Sequence, residues 1–348
     1  MIQHHALAWF VMSEQNESAS QLTARYVQEK VTMKPFVSII IPAKNEERVI
    51  DYCLSALANV DYPRESYEVI VVDNGSADRT VAIAQDYGFI TRHCPHLTIA
   101  GLRNAGAEMA RGDVIAFVDA DVAVLPDWLA RGIAALMTEG VACAGCMPGI
   151  PDNATWVEQI WNLQNIVMPE KCDREWLASM NMLIWKKCFD EVKGFNTGLH
   201  TCEDVDFGYR LRKKYRIISD KNIRAVHLGE AKTLLQLFRK ESWRGIGNFH
   251  GIKSHGLLLK EVPSHVVALY YFMFEGCVVP LAVYWVRPAI LIFMAVFALA
   301  FPLYKACEIS FKMRSFIYVA KLMIVWLVYC FARGWSVWRA IVSDCKRD

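Results

Sequence analysis

The sequence predicts an α/β fold, a mostly parallel sheet flanked by helices, followed by C-terminal transmembrane or membrane-interface helices. Three observations predict it. Apolar runs of strand length alternate with amphipathic stretches of helical spacing over residues 36–230. Acidic side chains stand just past the ends of those runs. From Val262 onward the chain becomes dense in Val, Leu, Phe, Tyr and Trp.

Composition sets the frame for these elements. The chain has 348 residues, 54% hydrophobic and 21% charged, enough for the core of one large domain or two smaller ones. A formal net charge of +2 argues against a nucleic-acid binder that relies on a broad basic face. The eleven cysteines lack zinc-finger spacing and read as reduced thiols of a cytoplasmic catalytic part. Cys143 and Cys146 form a lone C-x-x-C with no second pair or histidine at metal spacing.

The first strand is FVSIIIP (36–42), and KNEERVIDYCLSALANV (44–60) then turns to helical spacing, with Val49, Ile50, Cys53, Leu54 and Leu57 on one side. The second strand, YEVIVVD (67–73), breaks at NGSADRT, where Ser76 and Asp78 are natural caps for the next helix. RNAGAEMARGD is a helix closed by Gly112, and VIAFVD (114–119) is a third strand. Strands apolar on both faces belong to a parallel sheet covered on both sides. Ligands of such sheets bind beyond the carboxyl ends of the strands.

That rule gives the acids a purpose. Asp73 and Asp119 end two different strands and Asp121 lies two residues further, so three carboxylates are expected at one rim. Carboxylates crowded there repel one another, and a divalent cation offsets the cost. Oxygen ligands at open positions suit Mg²⁺ or Mn²⁺ sharing its shell with a substrate diphosphate. Taken alone, a D-x-D pair serves equally as a turn cap.

The blocks VSIIIPAKNEE, VIVVDNGSADRT, RNAGAEMARGDVIAFVDADV and GFNTGLHTCEDVDFGYRL together closely resemble family 2 glycosyltransferases of the Rossmann-like GT-A fold, over residues 36–230. The resemblance implies that Asp73 contacts the nucleotide base and that Glu46 frames the base and ribose pocket. It implies nucleotide-sugar contacts at Pro42, Ala43, Asn45, Asn74, Gly75, Asp119 and Ala120. Asp119 and Asp121 would hold the metal, and Arg103 and Asn104 would line the diphosphate and sugar pocket. The catalytic base falls in CEDVDFGYR (202–210), with Asp204 expected to take the acceptor's proton and Glu203 as alternative or orienting partner. Without the resemblance, that block reads as an ordinary helix start with acids near its positive end.

Further residues follow by position. Asn181 and Met182 read either as an acceptor-pocket lining or as a buried strand. His227 reads as a metal or phosphate ligand, as a histidine does in some GT-A relatives, or as a structural histidine. Arg239, Trp243 and Arg244 lie in FRKESWRGIGNFHG (238–251), a basic stretch suited to a diphosphate, a lipid-linked phosphate or anionic headgroups. It resembles only loosely the Q-x-x-R-W element of processive polysaccharide synthases, which leaves that activity as the alternative. A glycoside hydrolase, or a non-catalytic membrane-bound binding protein on the same fold, is the other class in view.

The expected organisation is an N-terminal extension (1–35), a catalytic domain (36–230), a basic amphipathic membrane-proximal segment (231–261) and a membrane region with two to three helices (262–348). The extension's ALAWFVM (6–12) is too short to cross a bilayer and lacks a basic leader, so it reads as an amphipathic helix. Three apolar runs, 265–286, 289–304 and 316–332, are candidates for crossing or lying on a bilayer. Lys305, Lys312 and Arg314 after the second run place that loop and the catalytic domain on the cytoplasmic side of a multi-pass protein. The third run either re-enters or breaks that rule, since the tail beyond it is also basic. Glu275 within the first run reads as facing a neighbouring helix or a lipid phosphate, or as incidental. Expected partners are a nucleotide-diphosphate sugar, UDP-linked, a lipid-linked or growing saccharide acceptor and membrane lipids, with no nucleic acid.

Overall fold

A computed structural model describes residues 34–199, 201–255, 262–278 and 288–344. The expected helix at 6–12 and the basic tail residues Lys346 and Arg347 lie outside the described residues. The sheet strands are β1 (Val37–Ala43), β2 (Tyr67–Asp73), β3 (Ile90–His93), β4 (Val114–Val118), β6 (Val141–Gly145), β7 (Lys171–Asp173), β8 (Asn181–Trp185) and β9 (Arg216–Asp220). They form one eight-stranded sheet in the order β3-β2-β1-β4-β8-β6-β9-β7. Strands β3, β2, β1 and β4 are mutually parallel, β8 runs antiparallel to β4 and β6, and β7 antiparallel to β9. A separate antiparallel pair joins β5 (Val122–Val124) to β10 (Ala225–His227).

Alternation within the strands explains their unbroken apolar character. Ile39, Ile41, Val69, Val71, Val114 and Ala116 point to one face, beneath α1 (Ile50–Ala58), α2 (Thr80–Asp86) and α4 (Trp128–Leu136). Ile40, Ile70, Val72, Ile115 and Phe117 point to the other, beneath α3 (Ile99–Met109), α6 (Lys186–Glu191) and α7 (Glu203–Arg212). Both faces are therefore buried, as a parallel sheet requires. On the second face Phe195 meets Phe207 of α7 at 4.7 Å and Phe117 at 5.2 Å between ring centroids, which seats the start of α7 on the sheet.

Two boundaries differ from the sequence reading. The helix expected from residue 44 begins at Ile50, because the backbone of 45–47 is bound by side chains of the following loop: Asn45 N–H donates to Ser76 Oγ, Glu46 N–H to Thr80 Oγ1 and Glu47 N–H to Asp78 Oδ2. The helix expected at RNAGAEMARGD starts at Ile99, where the Thr98 hydroxyl accepts from Gly101 N–H, a cap that the sequence reading passed over.

Beyond the sheet come α5 (Trp156–Ile166), α8 (Leu234–His255), α9 (Val262–Met273) continuing as π-helix over Phe274–Val278, α10 (Pro288–Met313) and α11 (Val319–Asp344). Val157, Ile160 and Leu163 of α5 share a core with Leu237 of α8, Ile309 of α10, and Leu322, Val325 and Trp326 of α11. The expected loop carrying Lys305 and Lys312 is instead helix: both lysines bind Glu308 on α10, at 2.6 and 2.7 Å. Only Arg314 and its neighbours turn, with Arg314 at φ 53°. The second and third apolar runs fall in α10 and α11, whereas 279–286 of the first lies outside the described residues. Among the described residues one helix, Val319–Ile341, is long and apolar enough to cross a membrane. The C-terminal helices leave large apolar side chains exposed, among them Ile292 (64%), Val296 (63%) and Phe311 (67%).

Candidate active site

The end of β2 delivers Asp73 to the rim in a buried position. Its carboxylate accepts from Gly75 N–H and Ser76 N–H, both at 3.0 Å, and meets His93 Nδ1 at 2.9 Å. Burial opposes its charge, and these hydrogen bonds outweigh it, so Asp73 stays below the usual aspartate range. Gly75, at φ 76°, makes that turn possible. Pro42, Ala43 and Ala120 are buried, Asn45 is exposed, and Asn74 donates to Leu97 O at 3.1 Å.

The end of β4 delivers Asp119, whose Oδ1 accepts from Arg103 Nη2 at 2.7 Å. Arg103 Nη1 donates to Glu203 Oε1, also at 2.7 Å. One buried guanidinium on α3 therefore clamps the D-x-D segment to the start of α7. Asn104 beside it is spent on the backbone: it donates to Phe195 O at 2.8 Å and accepts from Phe195 N–H at 2.9 Å. Arg103 and Asn104 thus hold the walls together rather than forming an open lining, a role their residue types alone did not disclose.

Asp121 lies within 3.1 Å of His227 Nε2, and His227 Nδ1 within 2.9 Å of Glu230 Oε1. Glu230 Oε2 in turn accepts from Lys240 Nζ at 3.1 Å. Burial opposes charge on His227, but its hydrogen bonds to the two carboxylates win and push it up to about 9. Burial likewise opposes charge on Asp121, and His227 outweighs it to hold the acid low. Glu46 faces the opposite balance: burial first, then the charges of Asp121, Asp119 and Asp78, raise it to about 7. The rim is thus rich in negative potential beside Glu46.

Among the described residues no group of three or more His, Cys, Asp or Glu stands in a metal-holding arrangement. The donor set still fits a divalent ion. A carboxylate oxygen of Asp121 and Nε2 of His227 face each other, while Glu230 orients the ring from behind as outer carboxylates orient metal-bound histidines. Glu230 escaped the sequence reading, for which the His227-Leu-Gly-Glu230 spacing was the available signal, whereas Lys240 belongs to the basic stretch 238–251 already singled out.

At the start of α7 the two neighbouring acids diverge. Glu203 is buried and paired with Arg103. Asp204 lacks that partner; burial and then the charge of Glu203 raise it to about 7, against a smaller opposing effect of Arg103. Cys202, at φ 63°, makes the turn that presents both.

Other expected residues scatter. Asn181 is buried in β8 with its amide fully engaged, donating to Cys146 O and Ile223 O at 3.0 Å and accepting from Trp128 Nε1 at 2.7 Å. Met182 is buried in the core beside it, so both belong to a buried strand rather than an acceptor lining. Arg239 and Trp243 line a pocket of about 580 Å³ with Lys232 and Lys240. Arg244 turns away to Glu241, at 2.8 Å.

With that geometry in place, comparison with known proteins is direct. Residues 38–196 match glycosyl transferase family 2. Glycosyltransferase AglE of Haloferax volcanii is 32% identical over 200 residues, 53% of this chain and 66% of that protein. Beta-monoglucosyldiacylglycerol synthase of Trichormus variabilis is 30% identical over 168 residues, 46% of this chain and 33% of that protein. The chain therefore spans less than two thirds of the length of these curated relatives. Mannosyltransferase PcManGT from Pyrobaculum calidifontis, solved with GDP-Man and Mn2+, shares the fold at a TM-score of 0.61 over 87% of each chain, with 17% identity. The order of the rim motifs and the match that runs through them identify residues 38–196 as a glycosyl transferase family 2 domain, on a GT-A fold.

Proposed function

We propose that the protein is a metal-dependent, inverting glycosyltransferase, attached to a membrane through its C-terminal helices with the catalytic domain on the cytoplasmic side. It takes a nucleotide-diphosphate sugar, UDP-linked, and transfers the sugar to a lipid-linked or growing saccharide acceptor of the cell envelope or an exopolysaccharide. The observation that carries this reading is the Arg103 clamp, which fixes Asp119 and Glu203 on one guanidinium and leaves Asp204 beside them with no salt-bridge partner among the described residues.

Asp204 removes the proton from the acceptor hydroxyl as that oxygen attacks the anomeric carbon from the side opposite the leaving nucleotide diphosphate. The bond from the anomeric carbon to the diphosphate breaks, and its electron pair leaves with the nucleotide. Asp121, Asp119 and His227 would hold Mg²⁺ or Mn²⁺, which when bound offsets negative charge on the leaving diphosphate. Glu203 keeps Arg103 in place, and Arg103 keeps the D-x-D segment in register with the base.

Screening UDP- and GDP-sugars for release of free nucleotide by membranes containing the full chain tests this. Release is expected with Mn²⁺ and lost with chelator. Asp204→Asn should lower transfer by roughly 10²–10⁴-fold, the range of a removed acid–base group, and Asp121→Asn should lower it and raise the Mn²⁺ concentration it needs, both with unchanged circular dichroism. Full transfer by either variant removes that residue from its role, and release indifferent to chelation removes the metal.

A further inference from the structure

A second concavity opens at the same edge of the sheet. β4 and β6 each run antiparallel to β8, and β9 runs parallel to β6, so Val118, Gly145 and Asp220 all end at one rim. The acidic cluster lies beyond β4. Beyond β6 and β9 lies a cavity of about 540 Å³, walled by the loop after β6, the end of α5, residues 174–178 and the start of β10.

Two contacts tie this cavity to the reacting groups. Trp176 in its wall packs on α7 so closely that a Cβ at Gly208 would fall 2.3 Å from Trp176 Cβ and 2.8 Å from Glu175 O. Gly208 is four residues beyond Asp204 and therefore on the same side of the helix. At the opposite wall, Ala225 and Val226 lead directly into His227 on β10.

The lining states what the cavity takes. Its walls are largely apolar, with Met147, Ile166 and Leu177 among them, and no Asp or Glu is found among its described lining residues. Arg174, Lys221 and Arg224 are the charged groups present. Lys221 is engaged by Ile166 O at 2.9 Å, and Arg224 by Asp127 at 3.4 Å. Arg174 uses its backbone N–H on Ile217 O, and its guanidinium has no partner among the described residues. An apolar cavity with an unspent cation and no acid favours a ligand that is apolar along its body and anionic at one end. The other face of α5 packs on α11, the helix apolar enough to cross a membrane, so a single helix stands between that helix and the cavity.

We propose that this cavity holds the lipid part of the acceptor and that this part is acidic, its chain among Met147, Ile166 and Leu177 and its phosphate-class head at Arg174, with the hydroxyl that Asp204 deprotonates carried on a saccharide beyond that head. The proposal rests on the transferase reading of the neighbouring rim.

Calorimetric titration of the detergent-purified full chain with farnesyl phosphate, farnesol, inorganic phosphate and maltotriose tests it. Farnesyl phosphate is expected to bind at least tenfold tighter than farnesol, and inorganic phosphate and maltotriose not measurably. Arg174→Gln should bring farnesyl phosphate down to the affinity of farnesol, and Arg174→Lys should retain most of the difference. Ala178→Trp, which fills the cavity from its wall, should abolish binding of both amphiphiles. Unchanged farnesyl phosphate affinity in Arg174→Gln or in Ala178→Trp overturns the proposal, as does binding of no probe. Maltotriose binding that Ala178→Trp removes would make the cavity a saccharide site and overturn it as well. Mn²⁺-dependent hydrolysis of the nucleotide sugar, measured without acceptor on the same preparations, reports the transferase reading separately: its loss in the unmodified chain sinks that reading, while its persistence with failed titrations sinks only this one.

Discussion

Asp204 and Glu203 are adjacent acids separated in role by one guanidinium. Glu203 has Arg103 at 2.7 Å, whereas Asp204 is raised to about 7 by burial and by Glu203 itself. A base at that value loses activity as its proton returns, so transfer should fall about tenfold per pH unit below roughly 7 and flatten above it. The same shift sets a stability sign. Ionising a group whose folded value stands above its unfolded one costs the fold, so the penalty is absent below about pH 4 and complete above about pH 7. Asp204→Asn is therefore expected to raise the melting temperature at pH 8, by on the order of 1 kcal/mol in stability, and to leave it unchanged at pH 4. Equal effects at both values would show that Asp204 is solvated. The type and order of these acids were legible in the chain, because strand ends and carboxylates are local features. Which of two neighbouring acids is spent on a cation was not, since Arg103 lies 100 positions from Glu203.

At the scale of elements, β1, β2 and β4 were legible from their unbroken apolar runs, and each lies within a residue of where its run predicts. Helix starts were less so: the stretch before Ile50 keeps helical spacing, yet its backbone donors are taken by Ser76, Thr80 and Asp78 from a loop some thirty residues on. Nor does spacing reveal that β8 enters the sheet antiparallel between β4 and β6, for a strand buried on both faces reads alike in either direction. Helix α7 is held by a glycine that the sequence reading passed over. Gly208→Ala puts a methyl against Trp176 Cα and the Glu175 carbonyl, which are backbone and cannot swing aside. The expected result is a loss of about 1–3 kcal/mol in thermal or denaturant unfolding, the usual cost of overpacking, with a raised acceptor KM because Asp204 shares that helix. An unaltered midpoint would mean that the 174–178 segment yields freely.

Across the whole molecule, the long helices α8 and α11 are joined by a charge cluster centred on a buried carboxylate. Glu241 on α8 accepts from Arg244 at 2.8 Å and from Arg333 on α11 at 2.9 Å, with 2% of its side chain exposed. The helices meet closely there, since a Cβ on Gly245 would lie 2.3 Å from Ser336 Oγ. Arg333 Nε and Nη1 are buried without a hydrogen-bond partner among the described residues, so Glu241 is the carboxylate that offsets Arg333 as well as the partly exposed Arg244. Nothing in the sequence announces this pairing, because Glu241 and Arg333 lie 92 positions apart, one in the basic membrane-proximal stretch and the other at the start of the basic tail beyond the third apolar run. Glu241→Gln should cost about 3–5 kcal/mol, the range for removing one partner of a buried ion pair, and lower the melting temperature of the detergent-solubilised full chain. A Glu241→Met/Arg333→Met pair should recover most of that loss, because an apolar contact of similar volume leaves one fewer buried cation to compensate. Were Glu241→Gln to melt with the unmodified protein, Arg244 and Arg333 would have to be hydrated, and the fastening of α11 to α8 would then fall to the apolar contacts around Leu237, Leu322 and Val325.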